Sequence, residues 1–337
     1  MHGRLTLGWV ALLALLGGCA PALGRARVSF GEPVPVALVQ PSTDTARWYL
    51  PMDTTTVGPV VWFVDTGYTY STCDDDLVDA LGLRTRGTVR VRGELGRARA
   101  TKARLPAFEL GGHRVGSLVC QVRDLATTSS LDDPDEVPIA GVIGMDVLRA
   151  FRVVFDPADG ALHLDDPARA APLVGPGVTR LRRSGVHGLR TRLEVRIGRR
   201  VAWPILDTGA GATYLDGAAL GLEPSSTLDN VVVRGTGAVG HQVRRMIAYE
   251  VDAVRVGGQK AGAATVIDRD RGWWAPGLLG LDLLGRFHQE YDFARGRARL
   301  TPVAPSPVPQ FSAYWPPDGG PPARLLDEPP DAWTDPD

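Results

Sequence analysis

The chain repeats itself, and the repeat restricts its possible folds more than any other feature. "VVWFVDTG" (residues 60–67) returns as "AWPILDTG" (residues 202–209), so Asp65-Thr66-Gly67 recurs as Asp207-Thr208-Gly209 after 142 residues (207 minus 65). "GVIGMDVLRAF" (141–151) returns as "GLLGLDLLGRF" (277–287), an offset of 136 (277 minus 141). Between them, "LGL" at 81–83 recurs at 220–222 and "VRG" at 91–93 recurs at 233–235. Four matched segments in one order indicate a duplicated lobe.

Each copy reads as short strands. "VPVALVQ" (34–40), "TVRVRG" (88–93), "LRTRLEVRI" (189–197) and "NVVVRG" (230–235) alternate or run apolar and stop at Gly, Pro or Asp. Helical signals are brief. "DDDLVDALGL" (74–83) has an acidic first turn and a stop at Gly82, and "LDGAALGL" (215–222) offers Asp216 as N-cap and Gly221 as stop. The acids of 74–76 read as helix-start charge, because the ligand alternation of an EF-hand loop is missing. Asp146 and Asp282 also repeat and read as helix caps, with catalysis the lesser alternative.

An apolar strand that ends in a carboxylate needs a chemical reason, since a buried carboxylate must be hydrogen-bonded or neutral. If the two lobes face each other, the Asp-Thr-Gly copies meet at a pseudo-dyad. Asp65 and Asp207 would then share one proton, supplying an acid and a base together. Thr66 and Thr208 can bond across the dyad, and Gly67 and Gly209 let backbone approach the carboxylates. No metal or cofactor is required.

These residues carry a family resemblance. The two Asp-Thr-Gly copies, each followed by an apolar-apolar-Gly segment (142–144 and 278–280), resemble the aspartic proteases. The segments "MDVLRAF" and "LDLLGRF" are similar to the retropepsin-like branch. The resemblance implies an all-β fold of two similar β-barrel-like lobes related by a pseudo-two-fold axis, with few short helices. It also implies a glycine-tipped flap over the site. "GELG" (Gly93 to Gly96) and "GTGAVG" (Gly235, Gly237, Gly240) each begin 28 residues after their aspartate (93 minus 65, 235 minus 207), so each lobe is expected to carry its own flap. "GTGAVG" also spells a dinucleotide fingerprint, which is rejected because β-rich sequence follows it where a helix should begin. The second lobe has the small Ala210 after its glycine; the first has Tyr68, which either packs into the lobe or crowds the dyad.

The expected organisation is a signal peptide over 1–18, a tether over 19–32, an N-terminal lobe over 33–170, a C-terminal lobe over 171–303 and a disordered, Pro-rich acidic tail over 304–337. The apolar stretch 5–16 is too short to span a membrane comfortably and reads as an export signal. Leu16-Gly17-Gly18-Cys19 resembles the lipobox of bacterial lipoproteins, which implies lipidation of Cys19, a membrane anchor and a place in the cell envelope, with the outer membrane favoured. Cys73 and Cys120 form a disulfide or remain two buried thiols.

A net charge of −1 and a pI near 6.6 give no sign of a nucleic-acid partner. No histidine pair, Cys-x-x-Cys or Gly-x-Ser-x-Gly pattern offers a rival chemistry. Trp273 and Trp274 line the cleft or pack in the core. Two functions remain: a monomeric envelope aspartic endopeptidase acting on peptides or proteins, or a lipid-anchored peptide-binding or envelope-structural protein without turnover.

Overall fold

A computed structural model describes residues 23–39, 48–93, 96–125, 139–185, 188–234, 241–268, 277–304 and 323–326. Strands dominate, and three short helices accompany them: Asp75–Ala80, Met145–Leu148 and Leu281–Leu284. This is the all-β arrangement expected of the acid-protease fold.

The first lobe is one curled eleven-stranded sheet. At its centre lies the strand Gly58–Val64, antiparallel to Tyr49–Thr54 and parallel to Ile139–Ile143. Its apolar run is continuous because both faces are covered. Val60, Trp62 and Val64 enter the main core, while Val61 and Phe63 join a second cluster with Val39, Tyr49 and Val142. Trp62 lies flat against Gly141, where a Cβ would stand 2.2 Å from the indole, so the neighbouring strand must carry glycine there. Beyond Ile139–Ile143 come Thr72–Asp74, Leu118–Arg123 and the hairpin of Gly96–Leu105 with Thr85–Gly93. The Cys73 and Cys120 sulfurs are bonded, joining Thr72–Asp74 to Leu118–Arg123.

The second lobe builds a four-stranded and a five-stranded sheet, the latter around the long strand His241–Val256. That strand occupies the place where a dinucleotide fingerprint would need a helix. A six-stranded sheet joins the lobes: Arg152–Asp156 pairs antiparallel with Phe287–Asp292 at its middle, and each half adds two further strands outward. The symmetry of the repeat is therefore visible in the backbone pairing. Along this seam Phe155 meets Tyr291 edge-on, Tyr291 stacks on Phe293, and Glu290 reaches both Arg152 and Arg299.

The structure departs from the sequence reading in several places. The tail expected to be disordered contributes Ala323–Leu325, inserted between Tyr49–Thr54 and Phe108–Leu110. Its Leu325 is buried, and the Leu326 N–H donates to Ala107. The expected tether contributes Val28–Ser29, paired with His113–Val115. Residues 215–222 form turns rather than a helix: Gly217 lies against the Tyr249 ring with no room for a Cβ, and Asp216 Oδ1 accepts only a local bond from Ala219. Its counterpart Asp75–Ala80 is a helix capped by Asp74, with Gly82 at positive φ after it. The run at 189–197 divides into Arg190–Arg192 and Val195–Ile197, because the Leu193 N–H turns to the Pro204 carbonyl.

Candidate active site

Asp65 and Asp207 are placed by equivalent strand pairs. The Asp65 N–H donates to Ile143 at 3.0 Å, just past the parallel ladder of Gly58–Val64 with Ile139–Ile143. In the second lobe the Asp207 N–H donates to Leu279 at 3.1 Å, just past Ile205–Leu206 paired in parallel with Leu278–Leu279. The apolar-apolar-Gly segments thus lie beside the aspartate loops in both halves.

The two loops interlock at their threonines. Thr66 Oγ1 donates to the Leu206 carbonyl at 3.0 Å and accepts from the Thr208 N–H at 3.0 Å. Thr208 Oγ1 mirrors it, donating to Val64 at 2.8 Å and accepting from the Thr66 N–H at 3.1 Å. Both hydroxyls are fully buried, so no water competes for these four bonds.

The glycines bring the carboxylates together. A Cβ on Gly67 would stand 2.5 Å from the Asp207 Cγ, and one on Gly209 would stand 2.2 Å from Asp65 Oδ2. Each aspartate therefore lies against the glycine of the opposite loop. The Asp207 side chain raises the Asp65 pKa both through its charge and as a hydrogen-bond partner. Asp65 Oδ1 also accepts from the N–H groups of Gly67 (2.7 Å) and Tyr68 (3.1 Å), and Asp207 Oδ1 from Gly209 (2.9 Å).

Burial, and then the charge of Asp207, hold the Asp65 carboxyl well above the ordinary carboxylate range. Their relative exposures are 6% and 9%, so the pair sits in low dielectric. Two carboxyls buried side by side cannot both ionise easily, which is the condition under which a pair holds a single proton between them.

A second tier of carboxylates supports the loops. Asp146 Oδ1 accepts from the Ser71 hydroxyl (2.7 Å) and N–H (2.9 Å), and the same hydroxyl accepts from the Gly144 N–H (3.0 Å). In the second lobe the Thr213 hydroxyl donates to Asp282 (2.7 Å) and accepts from the Gly280 N–H (3.1 Å). Asp146 and Asp282 are therefore not N-caps: each helix begins at Gly144 or Gly280 with no side-chain cap, and the aspartates clamp the far end of the Asp-Thr-Gly loop. Burial pushes Asp146 up to about 7 and raises Asp282 as well. The signal for these clamps was the repeat itself, since Ser71 and Thr213 share the offset of the catalytic candidates (213 minus 71 is 142).

Tyr68 is half-buried and packs against the second core cluster, which includes Val39, Tyr49, Leu125 and Ile139. Of the flap glycines, Gly93 and Gly96 face each other where Thr85–Gly93 meets Gly96–Leu105. Gly235, Gly237 and Gly240 lie outside the described residues, as do Cys19, Trp273 and Trp274. Among the described residues, the carboxylates close enough to share a cation are those of Asp74, Asp75 and Asp124. Both Asp74 oxygens already accept backbone N–H groups, from Asp76 and Leu125, which gives them a role in the fold.

No curated protein matches the chain. Residues 55–147, which hold Asp65, its loop and the Asp146 clamp, match the family model of the aspartyl proteases.

Proposed function

We propose that the protein is an aspartic endopeptidase in which Asp65 and Asp207 activate water against a peptide bond. The observation that carries this reading is the placement of the two carboxyls, each pressed against the other loop's glycine. The ionised member takes a proton from a water bound between them while the water oxygen attacks the peptide carbonyl carbon. The protonated member gives its proton to the carbonyl oxygen, producing a neutral diol. Return of a proton to the amide nitrogen and cleavage of the C–N bond release amine and acid. The threonine interlock keeps the two carboxyls in register through these steps.

A first-lobe loop crowded by Tyr68 would favour a peptide-binding protein without turnover. The packing of that ring on the cluster of Val39, Tyr49 and Ile139 supports the enzyme. The reading extends to the envelope: Cys19, in its lipobox-like setting, would carry the lipid that anchors a single two-lobed chain to the membrane.

The test is incubation of the purified chain, from Gly24 onward, with a peptide library between acidic and neutral pH. Cleavage is expected, and its loss in Asp65→Asn and Asp207→Asn with folding retained. No cleavage at any pH would overturn the enzyme reading. Labelling of expressing bacteria with an alkyne fatty acid, lost in Cys19→Ala, checks the anchor.

A further inference from the structure

The hairpin of Thr85–Gly93 with Gly96–Leu105 is unlike its second-lobe counterpart in charge. Residues 85–105 hold seven basic side chains and a single acid, Glu94. Register sets four of them in like-charged pairs, with Arg90 opposite Arg99 and Arg92 opposite Arg97. Alternation puts Val91 and Ala100 on the buried face, while Arg90, Arg97 and Arg99 stand exposed on the other. Among the described residues, no carboxylate is salt-bridged to any of these three. Like charges directly opposite each other on a sheet are destabilising. The second-lobe hairpin has no such ladder: its strands mix Asp229, Glu250 and Asp252 with their arginines, and Arg245 pairs with Asp229.

The complementary charge is in the same chain. After Leu326 the sequence reads "DEPPDAWTDPD", with Asp327, Glu328, Asp331, Asp335 and Asp337 and no basic residue. This segment leaves directly from Ala323–Leu325, which is a strand of the same sheet as the hairpin, six and seven places from its two arms. At about 4.8 Å per strand the path over the sheet is roughly 29–34 Å. Eleven extended residues span up to about 36–40 Å, so of the five acids Asp335 and Asp337 come within reach of the arms. The strand senses agree as well: followed across the sheet, Ala323–Leu325 and Thr85–Gly93 run the same way, so the chain leaves toward the end that carries the hairpin tip.

We propose that the arginine face of the first-lobe hairpin is a docking surface for the acidic segment 327–337 of the same chain. The contact is electrostatic, intramolecular and weakened by salt, because the arginines are exposed.

The test is the rate at which phenylglyoxal modifies Arg90, Arg97 and Arg99, followed by peptide mass mapping at low salt. Three proteins are compared: the full chain, a chain ending at Leu326, and a full-length variant whose five tail acids are replaced by Asn or Gln. The first truncation keeps the Ala323–Leu325 strand, and equal melting temperatures check that the fold is intact. Modification is expected to be about three- to tenfold slower in the full chain than in the other two, the effect of a few tethered surface ion pairs, and to become equal at high salt. Equal rates in all three proteins would overturn the proposal, as would protection that survives in the neutral tail. Protection that grows with protein concentration would assign the surface to the tail of a second copy and overturn the intramolecular contact. The readout involves no peptide cleavage, so failure here and failure of the endopeptidase reading are separately visible.

Discussion

Valine in place of Thr208 keeps the shape of the side chain and removes its hydroxyl. Two backbone groups of the first lobe then lose their partners: the Thr66 N–H, 3.1 Å from Oγ1, and the Val64 carbonyl, 2.8 Å from it. Neither can turn to solvent, because Thr66 and Thr208 are completely enclosed. A buried donor or acceptor left unpaired costs about 1–3 kcal/mol, so the pair sets a loss of roughly 2–4 kcal/mol once local relaxation is allowed for. Thr66→Val is the mirror experiment, stranding the Thr208 N–H and the Leu206 carbonyl. All four bonds cross one seam, so the double variant should lose less than the sum of the singles, with a coupling on the order of 0.5–3 kcal/mol. Urea unfolding of the wild type, both singles and the double at one pH measures each of these quantities. The reasoning fails if Thr208→Val unfolds within about 0.5 kcal/mol of the wild type, or if the two losses simply add.

Gly209→Ala places a Cβ where Asp65 Oδ2 now lies, 2.2 Å away, and forces the carboxyls apart. Peptide cleavage should fall by about a hundredfold, the usual effect of a 1 Å misplacement, while far-ultraviolet circular dichroism stays unchanged. Asp146, held up to about 7 by burial, keeps its proton in the folded state over a range where the unfolded chain has lost it. Its contribution to stability is therefore full below about pH 4 and declines as pH rises toward 7, at on the order of 1 kcal/mol per pH unit. Denaturation across that range should show a shallower pH slope in Asp146→Asn than in the wild type. The Cys73–Cys120 bridge closes a loop with a sequence separation of 47, so replacing both with alanine should cost about 2–4 kcal/mol, read as a lower denaturation midpoint under non-reducing conditions. Ending the chain at Val303 removes Ala323–Leu325 and uncovers two strand edges; light scattering should show association that a chain ending at Leu326 does not.

The paired aspartate loops are legible in the sequence because the strand before each is apolar on both faces and the Asp-Thr-Gly that follows is copied unchanged. The role of Asp146 and Asp282 is hidden because a carboxylate at the start of a helix has the appearance of a cap. Their partners Ser71 and Thr213 lie 75 and 69 residues away in sequence, a separation that local pattern cannot report. The tail strand carries no signal of its own, since three residues show no periodicity. Its conformation is supplied by the slot between Tyr49–Thr54 and Phe108–Leu110. The arginines look scattered along the chain, and only hairpin register gathers Arg90 and Arg99 into a ladder. At 215–222 the misleading feature was a repeated "LGL"; Gly217, fitted against Tyr249, breaks the helix that the copy at 75–80 completes.

Because Ala323–Leu325 fills a slot in the first lobe, that lobe is finished last although it is made first. A growing polypeptide holds Asp65 with an open seam on one side, and Arg152–Asp156 waits for Phe287–Asp292 before it has a neighbour across the molecule. Assembly of the carboxyl pair is thereby timed by chain elongation. A fragment released early carries half of the pair, and the eleven-stranded sheet is complete only after the closing strand has been delivered.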